Sequence, residues 1–335
     1  MGGTRPMRIG IVGTNFVSDM FMKGAEAVPE IQASAVISGH REHAEAFAGK
    51  YGIPHVYGNL EELLDSGEID AVYLAVPNSL HKEMALQVLK RGIPLICEKP
   101  LVPTLADARE LYACAEAHHA YLHDAIVPLY TDHFQILKEN LARVGKIRHV
   151  FFSFSKYSSR YDAYLAGKNP TTFRNDLCNG CWMDLGVYTI ADLVGLFGKP
   201  ESLCASSVML ESGVDGASAG ILHYGTFDAV TMISKISTSY QNSEIHGEEG
   251  TLIIEKPSLI SKVYFRGVHS DETELLTPDD ANSFGDQLRD FVTNVKAGKS
   301  ESSRVPHALS LAVIETLEQC RKQAGVYYPK EGKTE

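Results

Sequence analysis

The pattern of apolar and polar positions changes character once along these 335 residues, near residue 125. Before that point, short apolar runs alternate with segments of helical periodicity. Met7–Val12, Ile31–Ser38, Asp70–Val76, Ile93–Leu101 and Tyr121–Ile126 read as strands, with a minor one at Val56-Tyr57. Most of these runs are continuously apolar, which predicts burial on both faces, as in a parallel sheet. Helices are predicted between them over about Phe16–Val28, Glu42–Tyr51, Leu60–Asp65, His81–Arg91 and Leu105–Ala117, with stops at Pro29 and Gly92. The alternation is that of a doubly wound α/β domain over residues 1–125.

Beyond it the period shortens. A helix over His133–Arg143 leads through Gly145 into an alternating strand, His149–Tyr157. Ser158–Asn179 reads as a loop, and Cys181–Phe197 as one helix. Strands of period two follow at Leu203–Glu211, Gly220–Tyr224, Ala229–Ser234, Ser237–His246, Gly250–Glu255 and Lys262–Phe265. Such a series predicts a mixed or antiparallel sheet in a second domain, residues 126–335, closed by helices over Phe284–Lys296 and His307–Ala324.

Composition narrows the classes of function. A net charge of −11 without a Lys/Arg cluster argues against a nucleic-acid surface and against an anionic membrane. No apolar run approaches the roughly 20 residues of a membrane helix. The N-terminal residues lack the apolar core of a signal peptide. Six scattered cysteines suggest reduced thiols and predict a cytoplasmic protein.

Candidate chemistry sits at the carboxyl ends of the first strands, where open α/β sheets bind ligands. The first strand runs into Gly13-Thr14-Asn15-Phe16-Val17-Ser18, which keeps one glycine of the dinucleotide fingerprint. Asn15 tolerates the left-handed backbone that a second glycine normally supplies, and Ser18 is small enough for close helix packing. Taken alone, the turn is equally a plain strand–helix connection. The second strand ends in Ser38-Gly39-His40-Arg41, with no acid until Glu42. A carboxylate there would bond the ribose of NAD, whereas this set accepts a 2′-phosphate. The reading is NADP as preferred cofactor, with NAD as the alternative; the same residues also suit a solvated helix start. Val76, Pro77, Asn78 and His81 follow a third strand, and Glu98-Lys99-Pro100 a fourth.

These segments, with Gly180-Cys-Trp-Met-Asp184-Leu-Gly186-Val-Tyr188 downstream, resemble the Gfo/Idh/MocA oxidoreductases across essentially the whole chain. The resemblance implies a nicotinamide-binding Rossmann domain followed by an α/β domain with an open, mostly antiparallel sheet. That sheet serves dimers or tetramers in the family, so a homodimer or homotetramer is expected. Substrates are sugars, polyols or cyclic diols. Lys99 matches the family lysine that bonds the substrate oxygen, and Asp184 a carboxylate that positions substrate. Tyr188 stands where many members carry His. The Lys99-Pro100 bond is expected to be cis, as in similar proteins.

Oxidising an alcohol requires a proton acceptor with a pKa near the working pH. Free Lys and Tyr titrate near 10.4 and 10. Either Lys99 is the base and Tyr188 orients the hydroxyl, or Lys99 lowers the pKa of Tyr188; both remain open. Asp184 and Tyr188, four apart on one predicted helix, share a face, which Asp192 continues as a structural carboxylate. Tyr157, Arg160 and Tyr161 offer rings, hydroxyls and a guanidinium to a polyhydroxylated substrate, or to a carboxylate held by Arg160, or form an ordinary surface loop. Cys178 and Cys181 lack the further ligands of a zinc site, so no metal is expected. A second class of function is a cofactor-binding regulator or scaffold with little catalysis. The Lys99, Asp184 and Tyr188 set argues against it.

Overall fold

The computed structural model describes residues 5–278, 283–329 and 331. Residues 1–4, part of the N-terminal reading above, lie outside them. The chain divides into two compact units. One comprises the described residues of 1–102, 106–125 and 282–307, and the other those of 103–105, 126–281 and 308–335.

The first unit opens with β1 (Met7–Val12), α1 (Phe16–Ala25), β2 (Ile31–Ile37), α2 (Arg41–Tyr51), β3 (His55–Val56) and α3 (Leu60–Asp65). It continues with β4 (Ala71–Leu74), α4 (Asn78–Leu89), β5 (Leu95–Glu98), α5 (Leu105–Ala117) and β6 (Leu122–Ala125). All six strands are parallel, in the order β3-β2-β1-β4-β5-β6. This is the Rossmann order. The chain reverses direction across the sheet between β1 and β4, and the crevice outside their carboxyl ends is where such sheets bind dinucleotides. The continuous apolar runs are explained: β4 and β5 are buried at every residue. Their side chains meet helices on both faces.

The second unit begins with α6 (Val127–Tyr130), α7 (Asp132–Glu139), β7 (Ile147–Ser155), α8 (Tyr161–Leu165) and α9 (Val187–Phe197). Strands β8 (Ser202–Met209), β9 (Asp215–His223), β10 (Asp228–Ser234), β11 (Ser243–Gly247), β12 (Gly250–Glu255), β13 (Lys262–Gly267) and β14 (Glu274–Leu275) follow. They form one sheet with β7 in the order β14-β13-β12-β11-β7-β10-β9-β8. Within this sheet the β7–β10 pair alone is parallel among the described strands. Alternation on β8–β10 leaves Val208, Ile221 and Met232 exposed on one face, while Leu222, Ala229 and Ile233 are buried on the other.

Two helices close the chain, α10 (Ser283–Lys296) and α11 (His307–Gln323). The sequence places α10 in the second domain, but it packs in the first unit. Its period-3.6 stripe buries Leu288, Phe291 and Val292 in the core of Phe21, Tyr73 and Ile96. Each such side chain contributes about 1.5–3 kcal/mol. Gly24 makes the approach to α1 feasible, since a Cβ there would lie 2.6 Å from Cβ of Phe284. The stretch Asn175–Phe197 is long and apolar enough to cross a membrane, which the sequence reading missed; 67% of its apolar window is buried inside the unit, as in a core helix.

Candidate active site

The turn after β1 is built around Gly13. Its φ is +99°, and a Cβ there would lie 2.1 Å from the carbonyl oxygen of Ala75. Only glycine fits, so β1 and the end of β4 come together closely at the switch point. Asn15 does not take the left-handed conformation expected of it. Its φ is −84° and ψ −179°, and it caps α1 instead. Its Oδ1 accepts from the Val17 amide at 2.8 Å, while its Nδ2 donates to Ala75 O at 2.8 Å. The side chain thus closes the turn that a second glycine leaves open. Ser18 is fully buried and donates to Gly13 O at 2.8 Å. Phe16 is 70% exposed.

The ends of β1 and β2 meet through their hydroxyls: Thr14 Oγ1 and Ser38 Oγ lie 2.9 Å apart. His40 precedes α2 as its N-cap residue without a side-chain capping bond. Arg41 opens the helix, exposed, with its Nε 2.8 Å from Glu45 Oε1. Such an i, i+4 surface pair is worth only a few tenths of a kcal/mol. The guanidinium is therefore available to a stronger anion. These residues fit a dinucleotide: a glycine cradle, a capped helix start, and a hydroxyl and guanidinium set with no acid at the ribose end.

After β4, Val76 and Pro77 lead into α4, which Asn78 begins. His81, on its first turn, is buried and touches backbone with both ring nitrogens. Nε2 is 2.9 Å from Val76 O, and Nδ1 is 3.1 and 3.2 Å from Pro100 O and Leu101 O. Burial, the largest influence, and the Lys99 charge lower its pKa, opposed by those carbonyls. His81 braces the β4 turn against the β5 turn. The Lys99-Pro100 bond is cis, as expected.

Glu98 ends β5 with its side chain buried. Tyr73 Oη donates to its Oε1 at 2.7 Å, and the Tyr73 ring stacks on Phe21 at 4.1 Å. Burial pushes the Glu98 pKa up, while the Tyr73 hydrogen bond and Lys99 oppose it. Lys99 itself is partly exposed. The strand thus delivers a lysine to its carboxyl end from a fixed base.

In the second unit the predicted helix Cys181–Phe197 is not uniform. Trp182–Gly186 forms a π turn, in which the Val187 amide reaches Trp182 O, before α9 continues. Widened turns of this kind are frequent at functional sites. Asp215 holds its start: the carboxylate is fully buried and accepts from Trp182 N and Ser218 Oγ, each at 2.8 Å. Gly186 lets the turn approach β10, since a Cβ there would lie 2.8 Å from Ile233 Cδ1.

Asp184 sits on this turn, 22% exposed, and pairs through Oδ2 with Nζ of Lys235. The sequence reading missed Lys235. Like Lys99 after β5, Lys235 directly follows a strand, but β10 is buried on one face only and its alternation gave no comparable signal. Tyr188 lies on α9 with its ring edge-on to Phe154, centroids 5.7 Å apart. Asp192, further along, is fully buried, and among the described residues neither carboxylate oxygen has a hydrogen-bond partner. Burial holds its pKa well above the usual carboxylate range.

The segment read as a loop is partly structured. Tyr157 Oη donates to Asp162 at 2.6 Å, and Arg160 is exposed before α8. Tyr161 packs against Tyr157, Tyr164 and Phe173, with centroids 5.3, 5.9 and 5.6 Å away. Phe173 in turn lies 4.7 Å from Lys235 Nζ. Tyr161 is therefore linked to Asp184 through Phe173 and Lys235. No comparable chain of contacts among the described residues reaches Arg160.

The family model for the oxidoreductase family with an NAD-binding Rossmann fold, GFO/IDH/MocA, matches residues 7–125, and the model of its C-terminal domain matches residues 134–253. The chain belongs to the Gfo/Idh/MocA oxidoreductase family. Relatives match it over nearly its full length. A scyllo-inositol 2-dehydrogenase (NADP(+)), IolU, of Bacillus subtilis (strain 168) is 38% identical over 323 residues, covering 96% of this chain and 98% of that protein. A trans-1,2-dihydrobenzene-1,2-diol dehydrogenase of Danio rerio is 29% identical, covering 97% and 99%. The fold matches KijD10, a 3-ketoreductase from Actinomadura kijaniata solved with NADP and TDP-benzene. The TM-score is 0.86, at 21% identity, over 95% of this chain and 98% of that one.

Proposed function

We propose that this oxidoreductase is an NADP-dependent dehydrogenase acting on a CH–OH group of an inositol, related sugar or cyclic diol. The observation that carries the reading is the full-length similarity to an NADP-dependent scyllo-inositol dehydrogenase, in a chain that has Lys99, Asp184 and Tyr188. The diol dehydrogenase relative extends the substrate class to cyclic diols. Thr14, Ser38, His40 and Arg41 support NADP, because no carboxylate stands at the end of β2 to repel a 2′-phosphate. Gly13, Asn15, Phe16, Val17, Val76, Pro77, Asn78 and His81 form or brace the cofactor's turn region.

When bound, the nicotinamide accepts or returns the hydride of the reacting carbon. The chain supplies the proton chemistry. As the alcohol is oxidised, its hydroxyl proton passes to Lys99 or Tyr188, and the ammonium or phenol steadies the carbonyl oxygen that forms. In reduction the same group returns the proton. Asp184 accepts from a neighbouring hydroxyl and fixes the ring, while Tyr157, Arg160 and Tyr161 contribute to selecting it. The set is superfluous to a regulator that only binds cofactor.

We also propose a homodimer or homotetramer assembled through the outer face of the second sheet, supported by exposed Val208, Ile221 and Met232 on adjacent strands. A cytoplasmic location accords with six cysteines among which no disulfide forms. The test of function is a panel of inositols, sugars and cyclic diols with NADP and NAD, followed by cofactor absorbance. NADP-linked oxidation of a cyclic polyol is expected; cofactor binding without turnover on any member would favour the regulator.

A further inference from the structure

Lys235 directly follows β10, whose Ala229, Thr231 and Ile233 are buried. Its own side chain is 4% exposed. Lysines are almost never buried without partners, because an ammonium stripped of water needs replacements for each lost hydrogen bond. Among the described residues three groups contact this ammonium directly, and the buried Asp215 carboxylate acts on it electrostatically. The Thr172 carbonyl accepts at 2.6 Å, Asp184 Oδ2 forms the ion pair, and the Phe173 ring centroid lies 4.7 Å away. An ammonium has three donors and no acceptor, so this set accounts for its bonding capacity. The main chain is fixed as well, with the Lys235 amide donating to Gly216 O at 2.9 Å.

The pair is asymmetric. Lys235 is the inner member, and Asp184, at 22% exposure, the outer one. A surface ion pair is loose because water competes for both ends. Here the lysine has little access to water, so its end of the pair is held in place. Lys235 also ties down two segments that lie 63 and 51 residues before it: the Thr171–Phe173 turn, on which Tyr161 and Tyr164 pack, and the π turn that carries Asp184.

We infer that Lys235 is a positioning residue: it orients Asp184 to receive a hydroxyl of the cyclic polyol and locks that carboxylate to the aromatic segment 157–173. The inference rests on the dehydrogenase reading. A purely structural lysine would affect stability and leave substrate recognition unchanged, which separates the two roles by experiment.

The test compares the full-length parent with Lys235→Met, Lys235→Arg, Asp184→Asn and the Lys235→Met/Asp184→Asn pair. Crystal structures of the parent and Lys235→Met read the Asp184 orientation without reference to activity. The carboxylate is expected to leave its parent orientation in Lys235→Met; an unmoved carboxylate overturns the inference. Kinetics use the cyclic polyol that the parent oxidises best. Misplacing a substrate-binding group by about 1 Å costs on the order of a hundredfold, so kcat/KM should fall about that much in Lys235→Met, with NADPH affinity within about twofold. The double variant should lose no more than the worse single one, because the two residues act as a unit. Parent-like kcat/KM in Lys235→Met, or losses that multiply in the double variant, overturn the inference. If Lys235→Met does not fold, Lys235→Arg keeps the charge and moves it; a raised KM in that variant supports the role, and an unchanged KM overturns it. A parent inactive on every polyol would retire the dehydrogenase reading, and the crystallographic comparison would still decide Lys235.

Discussion

Replacing Gly13 by alanine tests the cofactor turn at its tightest point. The added methyl would lie 2.1 Å from Ala75 O, well inside the 3.4 Å of ordinary contact. The obstructing atom is backbone, so the turn or the end of β4 has to move by about 1 Å. That movement strains or breaks the Asn15 Nδ2 bond to the same carbonyl, now 2.8 Å. A φ of +99° adds backbone strain for any side chain. Strain of about 1–3 kcal/mol and a lost hydrogen bond of about 1 kcal/mol give a destabilisation of about 2–4 kcal/mol. NADPH affinity should fall more than about tenfold, since the displaced turn is the one that borders the switch point. Urea unfolding measures the first effect and fluorescence titration with NADPH the second. Gly49→Ala is the matched control: it lies inside α2 with nothing within 4 Å of its Cβ position, and should stabilise by about 0.5–1 kcal/mol. If Gly13→Ala is as stable as the parent and binds NADPH equally well, the geometry assigned to this turn is wrong.

Arg41→Ala should weaken NADPH about tenfold and leave NADH affinity and stability nearly unchanged, because the guanidinium's resident partner is only the exposed Glu45; equal losses for both cofactors would contradict the phosphate role. Tyr188→Phe keeps the ring against Phe154 and removes the hydroxyl, so kcat should drop about a hundredfold or more at little cost in melting temperature. Asp192 is held protonated above the ordinary carboxylate range, so the native state binds the extra proton. Stability should therefore fall as pH rises from the ordinary carboxylate pKa toward the raised one, by up to about 1.4 kcal/mol per pH unit. Asp192→Asn, which mimics the neutral acid, should lessen that slope in chemical denaturation at several pH values, leaving the share of other raised carboxylates such as Glu98 and Asp215; an unchanged slope would assign it wholly to other groups.

The parts of the molecule legible in the sequence were those set by local rules. Continuous apolar runs gave the β4 and β5 strands, and a lysine after one of them marked Lys99. The cis bond was implied by the family resemblance. What escaped notice depends on contacts between distant segments. Lys235 and Asp184 are 51 residues apart, and nothing near either announces the other. The π turn depends on close approach of Gly186 to Ile233, a tertiary constraint that a helical period does not reveal. Asn15 was assigned a left-handed backbone by analogy with glycine; a short amide side chain can instead cap the helix, and here that bond also ties α1 to Ala75. Helix α10 follows the strands of the second unit in sequence, yet its apolar stripe finds its partner on α1. Order along the chain was a poor guide once a helix could return to an earlier core.

The most direct measurement is reduction of NADP by scyllo-inositol and related cyclic polyols, for the parent protein and Lys99→Met side by side. The parent should turn over at least one of them. Lys99→Met should lose on the order of a hundredfold or more in kcat while binding NADPH within about twofold of the parent. A parent that binds NADPH and oxidises none of these substrates, or a Lys99→Met variant with parent-like turnover, would contradict the account.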